Sequence, residues 1–258
     1  MTKIVFLDID GTILSHNTNT VPTSTKDAIQ ALQKKDIKVF VCSGRNKFEY
    51  DHLNQLDGID FDGHIFMNGG MTLFHDEIIL EHPINNEDLK TILDYTRIHP
   101  FPIKVVEKEI EYINYIDDYV QIAQEAIHTP LPEIGSFEGV LNKKLYQVIL
   151  YPHNNIHELF SLLKETKATK WNDYGFDLMH KTSGKGVALQ EVCNYFHIPI
   201  SESLAIGDGF NDIEMLEKAG ISIAMGNSVD ELKKVSDYIT KDIDKDGLYY
   251  ALKYFELI

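Results

Sequence analysis

Two aspartates near the N-terminus are the first residues whose spacing could do chemistry. Asp8 and Asp10 end an apolar run two positions apart, so their side chains point to the same side if the extended backbone continues. Two neighbouring carboxylates repel each other unless a cation or a shared proton compensates. A plain turn at Asp10-Gly11 beside a solvated Asp8 explains the same residues, so this motif alone favours neither interpretation.

A second acidic cluster favours the cation. The segment 207–212, with the sequence GDGFND, follows an apolar run and opens a predicted helix. Helix capping accounts for one of its carboxyl or amide groups, but not for three of them. Asp8, Asp10 and Asp208 together could supply the hard oxygen ligands that Mg²⁺ prefers. The sequence therefore predicts a magnesium site.

Two further motifs could bind phosphate. Ser43-Gly44 follows a second apolar run and offers a hydroxyl and an unhindered backbone N–H, although a simple helix N-cap has the same composition. Lys185 stands between two glycines at a predicted helix start. A solvated surface position is usual for a lysine, but beside the acidic motifs we interpret Lys185 as a group that neutralises phosphate.

The elements that must position these residues alternate between strands and helices at both ends of the chain. Short apolar runs predict strands at 4–7, 38–42, 65–67, 204–206 and 221–224, and helical periodicity predicts helices at 23–35, from 183 onward, around 213–216 and at 229–235. Continuous apolar strands that alternate with helices indicate an α/β fold, a Rossmann-like doubly wound parallel sheet. Ligands bind such sheets beyond the carboxyl ends of the strands, where the polar motifs fall.

The middle of the chain has a different pattern. Between 83 and 179, helical and strand-like segments follow each other without the regular alternation, which predicts an inserted α+β domain in a discontinuous core of residues 1–82 and 180–258. A strand-like run at 112–116 overlaps a helical pattern that continues to Ile127, and their boundary stays open. Another strand-like piece is predicted near Trp171. His153 and His157 are interpreted as solvated surface residues because no third zinc ligand is near.

Composition limits the classes of function. Lys and Arg number 24 against 40 Asp and Glu, and the net charge of −16 has the wrong sign for a nucleic-acid or anionic-membrane partner. No apolar stretch has the length of a signal peptide core or a membrane helix, so we expect a cytoplasmic protein. Cys42 and Cys193 lack metal-ligand spacing and are predicted to be buried free thiols.

Taken together and in this order, the motifs resemble those of the haloacid dehalogenase superfamily. The motifs are Asp8-Ile9-Asp10-Gly11-Thr12, Ser43-Gly44-Arg45, Lys185 and segment 207–212. The insertion resembles the type IIB cap of Cof-type sugar phosphatases, and Asn68-Gly69 and segment 224–227 are also similar to that subgroup. The resemblance spans nearly the whole chain.

The resemblance implies a role for each motif residue. Asp8 is expected to be the nucleophile and Asp10 the general acid and base. Mg²⁺ is expected to bind Asp8, the backbone carbonyl of Asp10, and Asp208. Asp212 is expected to support these ligands without binding the ion itself. The expected phosphate ligands are Ser43, Lys185, Asn211 and the backbone N–H groups of Ile9 and Gly44. For Arg45 two roles stay open: contact with substrate, or pairing with a carboxylate across the domain gap.

The expected function is a Mg²⁺-dependent phosphatase that acts on a small phosphorylated metabolite through a phospho-aspartate. Sugar phosphates are the leading substrates, ahead of nucleotide, flavin and pyridoxal phosphates. Three alternatives stay open: a phosphomutase with the same Asp8 chemistry, a receiver-like signalling module, and a catalytically silent metabolite sensor. The sequence specifies neither the substrate nor the oligomeric state.

Overall fold

The structure is a computed structural model that describes residues 2–56, 58–126, 129–154, 156–170 and 174–258. The strands in these residues are β1 (Ile4–Asp8), β2 (Lys38–Cys42), β3 (Gly63–Phe66), β4 (Met71–Phe74), β5 (Glu77–Glu81), β6 (Ile103–Val106), β7 (Glu111–Ile113), β8 (Gln147–Leu150), β9 (Thr166–Lys170), β10 (Phe176–His180), β11 (Ser203–Gly207), β12 (Ile221–Ala224) and β13 (Tyr238–Ile239). The α-helices are α1 (Thr23–Gln33), α2 (Lys47–Asp51), α3 (Asn86–Ile98), α4 (Asp118–Ala126), α5 (His157–Leu162), α6 (Lys185–Tyr195), α7 (Ile213–Lys218), α8 (Asp230–Val235) and α9 (Gly247–Tyr254). The predicted positions at Ile127 and Trp171 lie outside the described residues.

The chain divides into two compact units. Unit 1 comprises Met1–Arg45, Glu49–Glu81 and Gly184–Ile258, and unit 2 comprises Asn46–Phe48 and His82–Ser183. That the inserted segment 83–179 is a domain of its own stays a prediction.

The sheet of unit 1 has the order β13-β12-β11-β1-β2-β3-β4-β5 and is parallel from β13 to β3. From β1 the chain builds outward through β2 and β3, and later returns to β11 on the other side of β1. The strand order therefore reverses between β1 and β11, which is where such sheets bind ligands. This topology confirms the predicted α/β class.

Strand β1 lies between two hydrophobic cores because its residues point alternately to opposite faces of the sheet. Val5 and Leu7 pack in the core that contains α1 and α9, whereas Ile4 and Phe6 pack in the core that contains α6 and α7. Every residue of β1 is buried, including Asp8 at its carboxyl end. Helices on both faces therefore explain why this strand is apolar throughout.

The hairpin of β4 and β5 was not predicted from the sequence. It adds two antiparallel strands at the edge of the sheet. Its two-residue turn consists of His75 and Asp76, both with positive φ, at 45° and 66°. Such turns usually contain glycine, so this one lacks the residue that normally marks a hairpin in a sequence.

Unit 2 has its own antiparallel sheet, in the order β7-β6-β8-β10-β9. Helices α3 and α5 pack with strand residues Ile103 and Val105 in its main hydrophobic core. The overlap at 112–116 is resolved: β7 ends at Ile113, and Ile116 belongs to neither the strand nor α4. The helix starts at Asp118 because Asp117 Oδ1 accepts a hydrogen bond of 3.1 Å from the Val120 N–H.

Two smaller predictions concern cysteines and membrane helices. Cys42 and Cys193 are free and buried. Among the described helices, none combines the length and the apolar character needed to span a bilayer.

Candidate active site

Asp8 lies at the carboxyl end of the central strand β1, and its closest partner is a buried lysine. The Nζ of Lys185 donates to Oδ1 of Asp8 at 2.5 Å and to Oδ1 of Asp212 at 2.6 Å. The side chains of Lys185 and Asp212 have no exposed surface, and that of Asp8 is 8% exposed. A lysine is buried this completely only when carboxylates pair with it, so the surface position usual for lysine does not apply here.

Asp212 also holds the loop that contains Asp208. Its Oδ2 accepts hydrogen bonds from the backbone N–H groups of Asp208, at 2.9 Å, and Gly209, at 3.0 Å. Asp208 itself accepts a bond of 3.2 Å from the Thr12 hydroxyl. Asp212 therefore uses one oxygen for Lys185 and the other for the loop, and so fixes Asp208 relative to Lys185.

The three carboxylates form a group that could hold a cation. Asp8, Asp208 and Asp212 each offer an oxygen atom, and these atoms lie within 4.8 Å of one another. Neither Oδ2 of Asp8 nor Oδ2 of Asp208 receives a hydrogen bond from the residues that the structure describes. Hard oxygen ligands in this number suit Mg²⁺, so the residues present fit that ion.

Burial and mutual repulsion shift the protonation of this group. Burial first, and the nearby charge of Asp212 second, raise the pKa of Asp208 to about 7. The same two causes raise the pKa of Asp8 well above its ordinary value, although Lys185 opposes them. Burial alone would lower the pKa of Lys185, but the carboxylates of Asp212 and Asp8 outweigh it and the pKa is raised.

The turn after Asp10 brings the first motif close to Asp208. Gly11 has φ of +90°, and a Cβ added there would lie 2.1 Å from Oδ2 of Asp208. Only glycine meets both the backbone conformation and the close approach. The carbonyl of Gly11 accepts a bond of 2.8 Å from the Asn227 side chain.

Asp10 does not join the carboxylate group, because its side chain is paired with Arg45. The guanidinium donates from Nε to Oδ2 and from Nη2 to Oδ1 of Asp10, each at 2.8 Å. The structure thus pairs Arg45 with a carboxylate of its own unit. Contact of Arg45 with substrate stays a prediction.

Apart from Lys185, the predicted phosphate ligands lie in the segments that follow the carboxyl ends of β1, β2 and β11. Ser43 directly follows β2, and its Oγ accepts a bond of 3.0 Å from the Arg45 N–H. Asn211 is exposed, and its Nδ2 donates to Oδ1 of Asn68 at 3.2 Å. Ile9 directly follows β1, and Gly44 follows Ser43.

Sequence analysis assigned no role to several residues that shape this site. Thr12 and Asn227 hold the first and last motifs together through the bonds given above. Glu214 explains the glycines on both sides of Lys185, because an added Cβ would lie 2.3 Å from its carboxylate at Gly184 and 2.4 Å from its backbone carbonyl at Gly186. Apart from the glycines themselves, no local pattern indicates these contacts.

Comparison with known proteins gives consistent results. A family profile described as haloacid dehalogenase-like hydrolase matches residues 5–252. YkrA of Bacillus subtilis, named as a candidate phosphatase, is 28% identical and covers 99% of this chain and 98% of its own length. The 5-amino-6-(5-phospho-D-ribitylamino)uracil phosphatase YwtE of the same organism is 28% identical over 97% of this chain and 96% of its own.

Solved structures agree with these relatives. A phosphatase of the haloalkanoate dehalogenase superfamily from Bacteroides thetaiotaomicron has a TM-score of 0.90 at 30% identity and covers 100% of this chain and 96% of its own. A subclass IIB sugar phosphatase has a TM-score of 0.85 at 30% identity, with both chains covered completely. The resemblance inferred from the motifs is thus confirmed, as is the expectation of an enzyme: the chain belongs to the family of haloacid dehalogenase-like hydrolases.

Proposed function

We propose that this protein is a Mg²⁺-dependent phosphatase that hydrolyses small phosphorylated metabolites through a phospho-aspartate on Asp8. One observation carries the proposal: the Asp8 carboxylate lies at a strand end, 2.5 Å from the buried ammonium of Lys185 and beside Asp208 and Asp212. A carboxylate can attack phosphorus only where positive charge offsets its repulsion with the phosphate dianion. Lys185 supplies part of that charge.

Charge balance supports a divalent cation. When all three are ionised, the carboxylates of Asp8, Asp208 and Asp212 outnumber the single ammonium of Lys185 by two negative charges, which a divalent cation would balance. Asp8, Asp208 and the backbone carbonyl of Asp10 would hold Mg²⁺, while Asp212 keeps Asp208 and Lys185 in place. When bound, the ion would act as a Lewis acid on the phosphoryl oxygens.

The reaction proceeds in two displacements at phosphorus. An oxygen of Asp8 attacks the phosphorus, the bond from phosphorus to the leaving oxygen breaks, and Asp10 gives its proton to that oxygen. Water then attacks the phospho-aspartate and loses its proton to Asp10, and the bond from phosphorus to Asp8 breaks to release phosphate. Lys185 and the donors of Ser43, Gly44 and Asn211 hold the phosphoryl oxygens in both steps.

Arg45 contacts the residue that is proposed to move the proton in both steps. Its guanidinium donates to both side-chain oxygens of Asp10 and so fixes the orientation of that carboxyl group. Both oxygens of Asp10 face Arg45, so proton transfer requires one of these hydrogen bonds to open. Arg45 would therefore act on the reaction through Asp10.

Sugar phosphates are the proposed substrate class. The support is the 30% identity to a subclass IIB sugar phosphatase and the resemblance to YwtE, whose substrate carries a phosphorylated ribityl chain. A phosphomutase remains the second candidate because it would use the same Asp8 chemistry. Cytoplasmic location stays a prediction, supported by the two free, buried cysteines.

A phosphate-release screen over a panel of sugar phosphates, nucleotides, and flavin and pyridoxal phosphates tests the proposal. We expect free phosphate to accumulate with at least one sugar phosphate, to stop when a chelator removes divalent metal, and to resume with added Mg²⁺. Full activity in chelator would contradict the magnesium site, and transfer of phosphate to a second sugar hydroxyl without free phosphate would favour the mutase.

A further inference from the structure

The turn that follows β3 has an unusual backbone. Met67 and Asn68 have φ of 51° and 49°, and Gly69 follows with φ of 92°. The left-handed region is unfavourable for side chains with a Cβ, above all for a bulky residue such as Met67, which is completely buried. Two such residues in succession persist only where the surroundings impose them, and such positions cluster at functional sites.

Backbone hydrogen bonds tie this turn to the Ser43-Gly44-Arg45 loop. The Met67 N–H donates to the carbonyl of Arg45, and the Asn68 N–H donates to the carbonyl of Ser43, both at 2.9 Å. The turn also packs closely against the residue before Lys185, since a Cβ added at Gly69 would lie 2.5 Å from the Gly184 carbonyl oxygen. The left-handed turn therefore places the Asn68 side chain among the proposed phosphate ligands.

The carboxamide of Asn68 lies between two of these ligands. Its Oδ1 accepts the hydrogen bond of 3.2 Å from Nδ2 of Asn211, and its Nδ2 would be 3.3 Å from a Cβ added at Gly44. An asparagine amide can present either its oxygen or its NH₂ group to a ligand. Because Asn68 accepts one N–H of Asn211, it fixes the rotation of that amide and so the direction of the second N–H.

We propose that Asn68 is a positioning residue that orients the Asn211 amide to donate to the phosphoryl group of the substrate. The inference rests on the proposed phosphatase function and acts through Asn211. In its left-handed conformation Asn68 makes both the backbone bond to Ser43 and the side-chain bond to Asn211, which gives the strained turn a role in the site.

The positioning role of Asn68 can be tested by measuring how strongly inorganic phosphate inhibits turnover of a nitrophenyl phosphate. The measurement compares four proteins: wild type, Asn68→Gly, Asn211→Ala and the double variant. Glycine relieves the left-handed strain, so the melting temperature of Asn68→Gly should not fall. We expect this variant nevertheless to weaken phosphate inhibition and kcat/KM by about 3- to 10-fold, the usual effect of one hydrogen bond. In the Asn211→Ala background the same substitution should change neither value, because the residue through which it acts is gone.

The outcomes separate the two proposals. A wild type that releases no phosphate in Mg²⁺ overturns the proposed function together with this inference. In an active enzyme, unchanged phosphate inhibition in Asn68→Gly, or losses that multiply in the double variant, overturn the role of Asn68 alone. The role of Asn68 is supported if Asn68→Gly weakens phosphate inhibition in the otherwise wild-type enzyme but not in the Asn211→Ala background.

Discussion

Protonation of the carboxylates beside Lys185 would link the proposed binding of Mg²⁺ to pH. The pKa of Asp208 is raised from 3.8 to about 7, because burial and the charge of Asp212 disfavour its ionised form. Between these two values the folded protein binds more protons than the unfolded chain does, so the free energy of unfolding falls as pH rises. The contribution of Asp208 to the free energy of unfolding is complete below its pKa in the unfolded chain. This contribution is lost as the pH rises past its pKa in the folded protein.

A thermal melt in chelator at several pH values between about 4 and 8 measures this linkage. We expect Asp208→Asn to gain stability relative to wild type as pH rises, because it removes the carboxylate that must ionise in a buried site. Added Mg²⁺ should stabilise the wild type more at the high end of the range than at the low end, since protons and metal compete for the same oxygens. If the melting temperatures of wild type and Asp208→Asn differed by the same amount at every pH, the raised pKa of Asp208 would be contradicted.

The sequence predicted that certain residues would lie close together, and these residues belong to motifs at strand ends. Asp8, Ser43 and Asp208 follow apolar strands, and the carboxyl ends of parallel strands meet at one edge of a sheet. The partner of each side chain was not predictable in the same way. Arg45 pairs with Asp10, and Asn68 with Asn211, because of distances that only the folded chain sets.

At the scale of elements, unit 2 contains a buried ion pair between neighbouring strands. Lys104 of β6 lies 2.9 Å from the Glu111 carboxylate of β7, with side chains only 4% and 10% exposed. The Asn46 side chain donates to the same carboxylate at 2.6 Å. Removing one member of a buried pair leaves the other charge buried without its main compensation.

We therefore expect Lys104→Met to lower the free energy of unfolding by about 3–5 kcal/mol, measured by urea denaturation. Replacing both residues, as Lys104→Met with Glu111→Leu, should recover part of the loss because neither charge of this pair is then left buried without the other. Lys90→Met is the matched control: Lys90 pairs with Asp94 on the surface, where such a pair contributes about 1 kcal/mol or less. Equal effects of the buried and the surface substitution would contradict this account.

Elements with strong periodicity were predictable, and those defined by a turn were not. The apolar runs of β1, β2 and β11 indicated strands because both faces of these strands are buried. The hairpin of β4 and β5 gave no such signal, since β5 is half exposed and its turn is His75-Asp76. Its strands depend on pairing at the sheet edge, which a sequence pattern does not record.

At the scale of the whole molecule, every residue assigned to the chemistry lies in unit 1. These residues come from both ends of the sequence, because β1 and β11 pair directly although some two hundred positions separate them, as in the register of Leu7 with Ile206. Local patterns predict the strands but not their order in the sheet. The reversal of order between β1 and β11 therefore had to come from the fold, and it explains why Asp8 and Asp208 meet.

The phospho-aspartate is the central claim, and acid-quench trapping tests it most directly. Protein mixed with Mg²⁺ and the best substrate of the screen is quenched in acid, digested, and analysed by mass spectrometry for a phosphorylated peptide. We expect the phosphoryl group on Asp8, and none in Asp8→Asn. Asp10→Asn keeps the nucleophile and should still be phosphorylated on Asp8, but its turnover should fall by roughly 10²–10⁴-fold because general acid and base catalysis is lost. A phosphoryl group that persists in Asp8→Asn, or that is attached to another residue of the wild type, would contradict the account.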